Sequence, residues 1–259
     1  MSLAATLFNS NTTFGPGIEV LGFIAESGSS SANITESFTN GSLPRTLQEN
    51  DLAVAIMVNT DLTANAGESD MVVESSAAAG DYTGSTYASS ENTATTDRCQ
   101  VKLFYKFMGS TPDTQVYVPL VYSGDTDGKN SVIVYFLRNV DTSTPFDVTT
   151  TTATANNVGT ITTPSLTITT QGSVVIQTGN AGGNSMDGLS MDNFGTSTSV
   201  PVGFYTQSVA SGAEDLSSIA VVNYDKSGTP ALPVFRESTT SGALVAMSMA
   251  LRPANPPIY

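Results

Sequence analysis

The chain has 259 residues and a net charge of −14, from 23 acidic and 9 basic residues, which opposes contact with nucleic-acid phosphates or an anionic membrane surface. It contains no His and a single Cys, which excludes His-based nucleophile triads, His metal sites, an internal disulfide and multi-Cys metal clusters. Folding a chain of this size buries about 70% of its unfolded surface, so a core needs neither disulfides nor metal.

Short apolar runs recur along the chain, separated by Gly, Asn, Asp, Ser and Pro. They predict strands at 18–25, 33–38, 52–59, 71–74, 100–108, 115–122 and 131–138, then at 166–170, 173–178, 200–208, 217–224 and 243–252. The stretch 100–108 alternates most clearly. Val101, Leu103, Tyr105 and Phe107 share one face, and Gln100, Lys102, Phe104 and Lys106 share the other. The runs 52–58 and 132–137 are apolar on both faces, as central strands of packed sheets are. Asn40-Gly41 and Asp127-Gly128 are hairpin-turn signals. One short helical turn is expected at 210–217, weakened by Gly212. The Thr-rich stretch 142–170 keeps Phe146, Val148, Ile161 and Leu166 at intervals, which favours strands with a Thr solvent face over a linker. No stretch approaches the length of about 20 apolar residues that a membrane-spanning helix needs. Met1 to Thr13 lacks a basic start, so a secretory signal is not expected.

The expected fold is all-β: a two-sheet antiparallel sandwich of jelly-roll type with extended N- and C-terminal arms. The boundaries read as an arm at 1–17, a single sandwich at 18–252 and a Pro-rich arm at 253–259. In the second arm Pro253, Pro256, Pro257, Ile258 and Tyr259 are the candidate assembly residues.

Catalytic chemistry finds little support. Carboxylate pairs such as Glu214-Asp215 or Glu68 and Asp70 lie in loops and lack a Trp platform, and no Gly-x-Ser-x-Gly elbow occurs. Asp125, Asp127 and Asn130 begin like a calcium loop but supply three side chains, against the six to eight oxygens calcium takes. No metal, cofactor or catalytic residue is therefore assigned. Candidate ligand-contact residues are Tyr82 and Tyr87, amphipathic rings in a polar stretch, and Met186 and Met191 in a Gly-rich loop.

Four segments carry a resemblance. They are Asn50-Asp51-Leu52-Ala53-Val54, then Val101-Lys102-Leu103-Phe104-Tyr105-Lys106. The third begins Val134-Tyr135-Phe136-Leu137-Arg138 and runs through Asn139-Val140-Asp141-Thr142 to Pro145-Phe146-Asp147, and the fourth is Ala246-Met247-Ser248-Met249-Ala250-Leu251-Arg252-Pro253. In this order, over roughly residues 20 to 253, they resemble phage-encoded and phage-like virion structural proteins with a lectin-like jelly-roll domain. Such proteins often carry a Trp before the final strand, where this chain has Leu244-Val245, so a sugar-binding role for that Trp does not carry over. The resemblance implies a non-enzymatic component of the virion surface, without cofactor, that forms homo-oligomers and contacts other virion proteins of capsid or tail. Decoration of the particle head is the first expectation. A tail- or fibre-associated adhesin recognising a host glycan is the alternative.

Overall fold

The computed structural model describes residues 17–29, 33–38, 43, 45–61, 71–91, 98–119, 129–156, 158–182, 190–192, 200–206, 217–223, 234–236 and 243–255. The first half of the chain supplies β1 (Glu19–Ser29), β2 (Ile34–Ser37), β3 (Leu52–Asp61), β4 (Thr83–Glu91), β5 (Arg98–Phe107), β6 (Gln115–Val118) and β7 (Lys129–Arg138). The second half supplies β8 (Phe146–Asn156), β9 (Thr160–Thr162), β10 (Val174–Gly182), β11 (Ser190–Asp192), β12 (Val200–Thr206), β13 (Ser217–Asn223), β14 (Val234–Arg236) and β15 (Ala243–Leu251). Among the described residues there is no helix. The turn expected at 210–217 lies outside them but for Ser217, which opens β13, and the Asn40-Gly41 and Asp127-Gly128 turns lie wholly outside.

Two five-stranded antiparallel sheets form the sandwich, ordered β1-β7-β3-β5-β4 and β12-β13-β10-β15-β8. The pairing in the first half is nested: β1 lies on β7, β2 on β6, and β3 on both β5 and β7. Apart from β2 and β6, the first half thus forms one sheet of the sandwich, and the facing sheet is drawn wholly from the second half. β2 and β6 make a separate two-stranded sheet, and β9, β14 and β11 a three-stranded one.

Alternation decides which side chains meet. On β3, Leu52, Val54, Ile56 and Val58 enter the core between the sheets, while Ala53, Ala55 and Met57 enter a second core on the outer face of the first sheet. β5 splits as its period of two predicts: Val101 and Leu103 go to the inter-sheet core, with Tyr105 and Phe107 packed against it, and Phe104 goes to the outer one. Val174 and Ile176 of β10, with Val245, Met247, Met249 and Leu251 of β15, complete the inter-sheet core from the second sheet. β3 and β7 in the first sheet and β10 and β15 in the second are thus apolar on both faces, and each buried Leu, Ile or Phe contributes about 1.5–3 kcal/mol relative to exposure.

The outer faces are covered by segments that the sequence suggested were strands. Met71 and Val73 are buried in the outer core, but the 71–74 stretch makes only one bridge, Glu74 to Tyr117. Leu166 and Ile168 cover Val175 and Ala250, and 166–170 likewise contains a single bridging residue, Ile168. Apolar character there marks burial under a sheet and not membership of one. The Thr-rich stretch does contain strands, β8 and β9. The alternation of β8 turns Ala153 and Ala155 toward Ile161 while Thr152 and Thr154 are exposed.

Candidate functional site

The four motif segments each reach one end of the sandwich. β3 begins there, β5 and β7 end there, β8 begins there and β15 ends there, so register sets residues 51, 108 and 138 side by side in the first sheet and 146 beside the end of β15 in the second. Asp51 is 1% exposed and takes a two-pronged bond from Arg138, Nε to Oδ1 at 2.8 Å and Nη2 to Oδ2 at 2.7 Å. The planar guanidinium matches a carboxylate in this way, and the pair is stronger than two separate bonds. The Gln48 N–H donates to the same carboxylate at 2.7 Å, and Arg138 Nη2 also donates to the Thr46 carbonyl at 2.9 Å. The hydrogen bonds from Arg138 to Asp51 hold the guanidinium above its ordinary pKa, against the opposing pull of burial.

Next to this pair the chain turns from β7 to β8. Asp141 accepts the Ser143 and Thr144 N–H groups at 2.8 and 3.1 Å, an Asx-type turn that holds its carboxyl below the usual range. The Asp141 N–H donates to the Arg252 carbonyl, and the Arg252 N–H to the Pro145 carbonyl, both at 2.9 Å. Asp147 accepts from the N–H groups of Thr169 and Thr170 and the Thr169 hydroxyl, at 2.6, 3.1 and 2.9 Å, with Arg252 Nε at 3.5 Å. Burial alone would raise the Asp147 carboxyl, but the bonds from Thr169 and Thr170 outweigh it and hold it low. Tyr105 and Phe146 meet edge-to-face across the two sheets with centroids 5.2 Å apart. The corner is a fastening.

Pro253 does not begin the arm that the sequence suggested. β15 ends at Leu251, close to the expected end, but Pro253 is buried and pairs with Val140 in an isolated antiparallel bridge. Its missing N–H costs nothing there, because the flanking residues make the bonds: Asp141 N–H to the Arg252 carbonyl and Ala254 N–H to the Asn139 carbonyl. Pro253 therefore belongs to the body, while Pro256, Pro257, Ile258 and Tyr259 lie outside the described residues.

The tyrosines also sit differently. Tyr82 is 8% exposed and packs in the outer core, which corrects the expectation of an exposed ring. Burial, with Asp113 and Asp81 nearby, raises its hydroxyl pKa. Tyr87 is half-buried against the same core. Beside Tyr82, Lys106 Nζ contacts Asp81 at 2.6 Å and both oxygens of Asp113 at 2.8 and 2.7 Å, and lies 5.7 Å from the Tyr82 ring centre. Burial opposes the charge on Lys106 and on Asp81, yet their mutual bonds win: the ammonium is held above its ordinary pKa and the Asp81 carboxyl below. Sequence spacing gave no signal for this triad, since its members come from three separate segments. Met186 lies outside the described residues, and Met191 falls in β11, opposite Phe235 of β14.

The opposite end of the sandwich is polar inside. Asn59, Thr60, Asn130, Ser131, Thr178 and Asn180 are all buried. Asn59 Nδ2 donates to Asn130 Oδ1, and Asn180 Nδ2 to Thr178 Oγ1, each at 2.8 Å. The Ser90 hydroxyl reaches from β4 to the Ala155 carbonyl at 3.0 Å and to the Asn156 side chain, joining the edges of the two sheets. Asn59 Oδ1, Thr60 Oγ1 and Asn180 Oδ1 have no hydrogen-bond partner. Gly182 lies so close to β5 that a Cβ there would collide with the Arg98 carbonyl.

Among the described residues no three Cys, Asp or Glu side chains gather to hold a metal ion. Of the calcium-loop candidates only Asn130 is described, and its side chain accepts from Asn59. Comparison with protein-family models, curated proteins and solved structures finds no match for the chain.

Proposed function

We propose that the chain is a non-enzymatic structural protein of a phage-like particle, a multi-copy decoration protein of the particle surface. The observation that carries this reading is the convergence of the motif residues. Asp51, Arg138, Asp141 and Arg252, drawn from the segments that resemble virion proteins, bond each other or nearby backbone at one corner. Residues committed in this way stiffen a module, which fits a protein whose task is to hold a shape on a lattice.

Cryo-electron microscopy of the particle, beside a particle made without the chain, tests this. The expected result is regular density at many equivalent positions on the head, with heads that still assemble but rupture at lower temperature without it. Density confined to the tail tip, together with retention on a glycan array, would instead make it an adhesin. The burial of Tyr82 removes one of the two rings on which that second reading leaned.

A further inference from the structure

The chain passes between the two large sheets once. β1, β3, β4, β5 and β7 make the first sheet and β8, β10, β12, β13 and β15 the second. The crossing is therefore the connector from Arg138, where β7 ends, to Phe146, where β8 begins. It lies at the Asp51 corner, and the corner adds bonds to it. Val140 pairs with Pro253, the Asp141 N–H donates to the Arg252 carbonyl, and the Ala254 N–H donates to the Asn139 carbonyl. Tyr105 of the first sheet meets Phe146 of the second.

The far end is joined differently. Val58 of β3 and Ile176 of β10 face the inter-sheet core, so by alternation Thr60, Thr178 and Asn180 also point between the sheets. Register sets Cys99 of β5 between Thr60 and Ser90, and all five residues are buried. The Ser90 hydroxyl ties β4 to β8 through the Ala155 carbonyl and the Asn156 side chain. Parting an apolar layer brings bare hydrocarbon into water, whereas amides and hydroxyls are hydrated as they separate. Thr60 Oγ1 and Asn180 Oδ1 have no hydrogen-bond partner while the end is shut. Each gains one from water when it opens, which offsets the loss of the Ser90 bonds. Val58, Val101 and Ile176 stand at the next positions inward and belong to the apolar core, so the parting stops there.

We propose that the sandwich is hinged: its two sheets stay fixed at the Asp51 corner and part locally at the Asn59 end, with Ser90 as the latch. Local opening of this kind occurs below the free energy of global unfolding where few apolar contacts hold an element. Cys99 is the single thiol of the chain and is 0% exposed. It is shielded while the end is shut, and its reaction reports each opening.

Alkylation of the full chain by iodoacetamide, followed by intact mass in buffer and in low concentrations of urea, tests it. Cys99 should react about a hundredfold faster than global unfolding in the same solutions permits. Its rate should depend on urea less than half as steeply as global unfolding does, because little surface is exposed. Ser90→Ala should speed the reaction about tenfold by removing the latch, and Thr60→Val should slow it about threefold by removing an oxygen that water would satisfy. A second chain locates the motion: Cys99→Ser with Val54→Cys places the thiol in the inter-sheet core near the Asp51 end of β3. That thiol should react only as fast as global unfolding allows. Three results would each overturn the proposal: a Cys99 rate with the urea dependence of global unfolding, a Ser90→Ala chain that reacts no faster, or a thiol at position 54 that reacts as readily as Cys99.

Discussion

The Asp51 end and the Asn59 end of the sandwich are made by the same strands, since β3, β5 and β7 run from one to the other. At the Asp51 end ionised groups are used, and the carboxylates are matched: a two-pronged Arg138–Asp51 pair, a capped Asp141 turn, and Asp147 with three donors from Thr169 and Thr170, although the buried Arg252 Nε, 3.5 Å from Asp147, makes no hydrogen bond. At the Asn59 end neutral amides and hydroxyls are used, and three of their oxygens find no partner. A buried charge left unmatched costs several kcal/mol, whereas an unmatched neutral oxygen costs about 1–3 kcal/mol. The pairing at the first end is therefore obligatory, and the looseness at the second is tolerable.

The difference is sharpest in what single substitutions should do. Arg138→Met should have the largest effect, because it leaves the Asp51 carboxylate buried and unpaired. A loss of about 3 kcal/mol is expected, or roughly 6–12 °C in melting temperature for a domain of this size. A loss under about 1 kcal/mol in a denaturant titration would show that water reaches Asp51 and that the corner is not locked. Gly182→Ala probes the opposite end, where the new methyl must push β10 from the Arg98 carbonyl; overpacking of this kind costs about 1–3 kcal/mol. If it proves neutral, the two sheets are not held in close contact at that end.

Acid should act mainly on the charged regions. The carboxyls of Asp81 and Asp147 are held below their ordinary range in the folded chain. A carboxyl with a depressed folded pKa stabilises above its unfolded pKa, and that contribution drains away as pH falls through the folded value. Melting temperature should then be level down to about pH 5 and fall by several degrees below about pH 4, near the unfolded value of Asp. Asp81→Asn should shallow that decline, and a melting temperature unchanged down to pH 3 would contradict it. Lys106 has the opposite sign: its stabilisation is present below its unfolded pKa and is lost as pH rises past its raised folded value. Smallest of all should be Thr60→Val, which removes an unpartnered oxygen and should be neutral or stabilising by up to about 1 kcal/mol. A clear loss of stability would mean that a water molecule occupies that end.

Much of the framework was legible because periodicity reports burial. β3 and β7 were readable as apolar runs, and β5 as an alternation, since each faces a core on both sides. β4 was not, because Thr83–Glu91 is an edge strand with few apolar residues and a bulge between Gly84 and Tyr87. Tyr82 misled for a related reason. Its polar neighbours in sequence suggested water, but the Asp81–Lys106 bond draws the chain onto the outer core and takes the ring with it. The corner pairs were hidden because Asp51 and Arg138 stand 87 residues apart. Only the fold brings them together.

The nested register also sets an order of events. Glu19 must meet Arg138, and Phe146 must meet Leu251, so each outer pairing waits for about a hundred intervening residues to be made and arranged. Loop closure over such distances is slow, and β-rich chains with distant partners fold over milliseconds to seconds. During that interval the two-faced apolar strands β3 and β7 lack their covers, so the risk of sticking to other unfinished chains is concentrated before the outer strands close. The acidic residues are then useful early: they keep half-folded neighbours apart until each body has shut.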